Sequence, residues 1–100
     1  MIQITDVQIY VVNEDKLKAY ATITLDNSFL IRDLKVIKGH TGLFVAMPAK
    51  KRKDGVFRDI AHPLNQPMRE HLEELVLKAY QEAVKEQSIG IPSISSGTEG

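Results

Sequence analysis

Residues 17–25 alternate without a break: Leu17, Ala19, Ala21, Ile23 and Leu25 are apolar, and Lys18, Tyr20, Thr22 and Thr24 fall between them. A period of two puts each set on its own face of a strand, so this stretch predicts one half-buried member of an antiparallel sheet. A helix does not accommodate the pattern, because helical apolar stripes recur at three and four residues. Every neighbouring segment must therefore supply either a partner strand or a cover for the apolar face. Asp26-Asn27 follows at once, two residues that tolerate positive φ and suit a tight hairpin. Residues 29–38 then form a third strand with apolar side chains in both phases.

Upstream, Ile2 and Ile4 lie in one phase while Val7, Ile9 and Val11 lie in the other. A bulge near Thr5-Asp6 reconciles the two. Downstream, residues 39–42 break the chain, and the unalternating apolar run 43–47 predicts a strand covered on both faces. Asp54-Gly55 is a hairpin signal, and residues 56–61 return as a fifth strand, stopped by Pro63. One helix follows over about 65–87, capped by Asn65 or Gln66, with Pro67 tolerated in its first turn. Its stripe is Met68, Leu72, Leu75, Val76, Ala79, Ala83 and Val84. Residues 88–100, with four serines, three glycines and a proline, read as a flexible tail. The expectation is one domain over residues 1–87 in the α+β class, an antiparallel five-stranded β-meander followed by one C-terminal amphipathic helix. A single helix covers one sheet face, so the apolar surplus of the third and fourth strands predicts a homodimer through sheet strands.

Composition removes several function classes. The 100 residues contain no cysteine, which excludes disulfides, thiolate metal sites and cysteine nucleophiles. His40, His62 and His71 share no ligand spacing, Asp6, Asp33 and Asp59 are scattered, and no Gly-rich phosphate loop or nucleophile elbow occurs. No catalysis, metal, cofactor or small-molecule substrate is expected. No apolar run approaches a membrane span, and the alternating N-terminal segment is unlike a secretory signal, so the expected location is the cytoplasm.

The formal net charge is zero, but its distribution is uneven. Residues 1–49 hold five bases and five acids, and residues 60–87 hold three bases and five acids. Residues 50–59 hold Lys50, Lys51, Arg52, Lys53 and Arg58 against Asp54 and Asp59. A cation cluster on a hairpin points to an anionic polymer, whose condensed counterions it displaces. The same lysines also fit a solvated hairpin that guards a sheet edge. Arg69 sits in the helix's first turn, against the helix dipole, and Gln66 could meet an adenine edge. Arg58 and Asp59 are adjacent and so fall on opposite faces of their strand. Phe29, Phe44 and Phe57 are expected in the core, which leaves Tyr10 and Tyr20 as the stacking candidates for single strands.

Three runs carry a family resemblance: ITDVQIY at residues 4–10, DNSFLIRDLKVIKG at 26–39, and GLFVAMPAKKRKDGVFRDIAHPLN at 42–65. In this order, and without gaps, they resemble the SpoVG (stage V sporulation protein G) family. Gln8 and Tyr10 depart from the pattern, standing where arginine is often expected. The resemblance implies a dimeric bacterial regulator that binds DNA, and in some members RNA, acting on septation, sporulation or gene expression. It implies nucleic-acid contacts at Lys50, Lys51, Arg52 and Lys53, and near the helix start at Gln66 and Arg69. A protein–protein regulator of division that binds no nucleic acid is the other class compatible with the residues.

Overall fold

A computed structural model describes residues 2–89. Strands β1 (Ile4–Val11), β2 (Leu17–Leu25), β3 (Phe29–Gly39) and β4 (Gly42–Ala46) form one sheet in that order, every pairing antiparallel. Helix α1 (Gln66–Ile89) crosses one face of it, reaching β1 and β4, the two edge strands. Between β4 and α1 in the chain come β5 (Ala49–Lys51) and β6 (Phe57–Asp59), a separate two-stranded ribbon. The α+β class, the antiparallel meander and the C-terminal helix are those predicted. The fifth strand, however, does not extend the meander; residues 57–59 pair with a short strand of their own.

Local chemistry accounts for the turns and the phases. Asp26 and Asn27 both have positive φ, and the Ser28 N–H donates to the Leu25 carbonyl at 2.8 Å, closing the predicted hairpin. The register slips between Ile4 and Asp6, leaving Thr5 as the extra residue. Its Oγ1 donates to the Thr24 carbonyl at 3.3 Å and accepts the Asn27 N–H at 3.0 Å, so the bulge is tied to the turn. A second slip lies between Ala21 and Ile23, where Arg32-Asp33 of β3 faces Thr22 alone. Asp33 takes the left-handed conformation there, at φ +65. Before this bulge Ile31 packs against the core; after it Leu34 and Val36 do. The two apolar phases of β3 thus arise largely from one rephased strand.

The core joins Ala19, Ala21 and Ile23 of β2, Leu34 and Val36 of β3, Val45 of β4, Met47, and Leu72, Val76 and Tyr80 of α1. Each fully buried aliphatic side chain contributes roughly 1.5–3 kcal/mol. Asn65 caps α1, its Oδ1 accepting the Met68 N–H at 2.9 Å. Tyr80 occupies the end of the stripe where Val84 was expected; Val84 is exposed. The run 43–47 is corrected too. It enters an edge strand, not one covered on both faces: Phe44 is exposed, and the outer Val45 N–H is taken by Glu73 Oε2 at 3.5 Å. The tail expected at the C-terminus falls, from residue 90 onward, outside the described residues.

Candidate nucleic-acid interface

Pro48 has no N–H and ends the β4 segment. Its carbonyl accepts the Ile60 N–H at 2.7 Å, which gathers the base of the ribbon. Above that base, Ala49 faces Asp59, Lys50 faces Arg58, and Lys51 faces Phe57. At the tip the Arg52 N–H donates to the Val56 carbonyl at 2.8 Å, and the Gly55 N–H to the Arg52 carbonyl at 3.0 Å. Asp54 Oδ1 accepts the Val56 N–H at 3.0 Å, so this carboxylate is employed in shaping the turn. Gly55, at φ +88, occupies a backbone position that a side chain would strain.

Residues 49–60 are all exposed. The ribbon therefore buries no apolar layer of its own, and Val56, Phe57 and Ile60 stand in solvent beside its cations. Its register instead sets two cations, Lys50 and Arg58, directly across from one another. Like charges opposed across strands destabilise the pair, so an anion bound between them relieves a cost that the free protein carries. A concave surface of about 740 Å³ is lined by Lys50, Lys51, Arg52, Lys53 and Arg58, with Asp54, Asp59 and Ile60. Five cations thus meet two carboxylates, one of them engaged by the turn.

Of the residues singled out from the sequence, Lys50, Lys51, Arg52 and Lys53 come together in this groove. Gln66 and Arg69 are not among its lining residues. Gln66 opens α1, and its Nε2 donates to Glu70 Oε2 at 3.2 Å. Arg69 is half-buried one residue after the Asn65–Met68 cap, its N–H reaching the Asn65 carbonyl at 3.2 Å. The chain from Asp59 to Gln66 spans at most roughly 25 Å, which bounds how far the helix start lies from the ribbon.

Arg58 is the cation that sequence reasoning left without a role. Counting back from the Gly55 turn would have placed it: once Lys51 and Phe57 oppose, Lys50 and Arg58 must as well. The phenylalanines need correction. Phe29, Phe44 and Phe57 are 72%, 43% and 64% exposed, and none belongs to the core. Phe29 starts its strand beside the hairpin, Phe44 takes the face opposite the inward Val45, and Phe57 lies on the detached ribbon. Among the described residues, no helix is long and apolar enough to cross a membrane, and no three acidic or imidazole side chains gather as a metal site.

Comparison with known proteins bears on this arrangement. The sequence model of the SpoVG family matches residues 2–82. A protein of Anaeromyxobacter dehalogenans is 57% identical over 97 residues, 97% of this chain and 95% of its own length. One of Bdellovibrio bacteriovorus is 63% identical over 83 residues, 83% of this chain and 77% of its own. One of Staphylococcus saprophyticus is 52% identical over 81 residues, 80% of each. All three carry the name "Putative septation protein SpoVG".

Proposed function

Because the chain belongs to the SpoVG family, we propose that it is a dimeric regulatory protein that binds DNA through the β5–β6 ribbon. Lys50, Lys51, Arg52 and Lys53 hold backbone phosphates, Arg58 completes the set, and Gln66 and Arg69 add contacts from the helix start. The regulated processes are those that the family points to: septation, sporulation or the expression of genes. No group in this reading performs catalysis. The carrying observation is the opposition of Lys50 and Arg58 inside a groove that holds three further cations.

Magnitude favours the dimer. One ribbon offers three or four phosphate contacts and a salt slope near −3, which is weak binding; two ribbons double both numbers, to a slope near −6. The sheet edges support pairing of copies. Of the two edge strands, β1 and β4, the latter has its outer Val45 N–H taken by Glu73.

Salt titrations of duplex binding, with wild type beside the triple variant Lys51→Ala, Arg52→Ala, Lys53→Ala, test the reading. Wild type should show the steep slope; the triple variant should keep its circular dichroism and lose affinity on every duplex sequence. Undiminished affinity in that folded variant would refute the assignment. A strict monomer by mass at micromolar concentration would remove the dimer, and absence of binding even at low salt would leave a protein-interaction role in division.

A further inference from the structure

The sheet face turned away from α1 carries a second set of groups that suits nucleic acid. Tyr10 and Tyr20 stand directly opposite one another on β1 and β2, and Lys35 continues the same row on β3. Ile9 and Val11 flank Tyr10 in sequence, Ala19 and Ala21 flank Tyr20, and all four belong to the core or pack against it. Strand alternation therefore turns both rings outward, where they are 71% and 37% exposed. Phe44 presents a third exposed ring on this face, paired with Ile37 one outward row along.

This face runs into the base of the ribbon. Tyr20, Asp33 and Lys35 share a hollow of about 380 Å³ with Pro48, Ala49 and Ile60, and Ile60 also lines the cationic groove. We infer that the outer sheet face binds single-stranded nucleic acid, with bases stacked on Tyr10 and Tyr20 and the adjoining phosphates held by Lys35 and the ribbon cations. The inference rests on the proposed ribbon function and specifies the strand state it serves.

The chemistry favours that occupant over two others. A duplex hides its base faces inside the stack, so exposed rings on a sheet gain nothing from it; unstacked bases of a single strand present those faces. Neighbouring strands lie about 4.8 Å apart, which sets the two rings side by side within reach of successive bases. A second copy laid sheet on sheet would bury Lys35 at the end of the tyrosine row, together with Gln8, Thr22 and Thr24 of the same face, and that desolvation is unfavourable. Asp33, in the shared hollow, repels phosphate and leaves Lys35 as the group the backbone passes.

The chain has three tyrosines and no tryptophan, and Tyr80 lies in the core. Tyrosine emission therefore reports chiefly on this face. The full chain is titrated with a short oligothymidylate and with the corresponding thymidylate–adenylate duplex. Oligothymidylate should quench the emission, and Tyr10→Ala with Tyr20→Ala should weaken single-strand binding about tenfold or more per ring while duplex binding holds. The Tyr10→Phe, Tyr20→Phe protein, which keeps both rings, should bind as wild type does. Unaltered single-strand affinity in the alanine variant overturns the inference and leaves the ribbon reading standing. Equal losses on both probes, or a change of oligomeric mass in place of affinity, overturn it as well. If wild type binds neither probe, the ribbon reading falls and the inference with it.

Discussion

Strand β2 and the β5–β6 ribbon are both antiparallel and both alternate, yet residues 19, 21 and 23 are buried while residues 49–60 are all exposed. In β2 alternation sorts side chains between core and water. In the ribbon both faces are wet, and the pairing sets Lys50 across from Arg58 and Lys51 across from Phe57. The sheet is held by what its side chains exclude. The ribbon is held by backbone hydrogen bonds and a turn, against the repulsion of its own charges. On the function proposed for the ribbon, stability and recognition belong to separate parts of one short chain, and substitutions should separate them.

The largest effect belongs to the sheet. Leu34 is fully buried in β3, and Leu34→Ala should cost about 3 kcal/mol through lost transfer energy and an unfilled cavity. A domain of this size should then melt more than about 10 °C lower, while the fraction still folded binds duplex normally. A smaller effect tests the tip. Gly55→Ala forces a side chain into a left-handed conformation at a cost of about 1 kcal/mol. Faster hydrogen exchange at ribbon amides, with core amides unaltered, would show that the two regions open separately. Lys50→Glu is the smallest change in energy and sharpens the contrast most. It places an acid across from Arg58, so the ribbon should gain a few tenths of a kcal/mol while duplex affinity falls. A parallel rise or fall of stability and affinity would break the division of roles.

Much of this was readable in the sequence because it depends on neighbours along the chain. The alternation of residues 17–25, the Asp26-Asn27 turn, the bulge at Thr5 and the Asn65 cap are all local, and all are present. What was not readable depends on distant partners. Whether residues 57–59 join the meander or pair with Ala49–Lys51 is decided by competition between edges, and no local preference encodes it. The exposure of Phe57 follows from that same outcome, and that of Phe44 from the sheet face that α1 leaves uncovered. Tyr80, four residues beyond Val76, joins the core cluster, while Val84 at the next step is exposed. The cation cluster was legible as composition. Its geometry, with Arg58 set against Lys50, required the pairing.

Asp33 shows how narrowly the two faces of β3 are kept apart. It is the one surplus residue that brings Leu34 and Val36 inward and leaves Lys35 on the outer face beside Tyr20. Shortening the chain by one position there would exchange the sets, driving a lysine into the interior and two aliphatic groups into water. A change in spacing at this point is therefore costlier than the loss of any single side chain: the strand holds its two faces apart by keeping count.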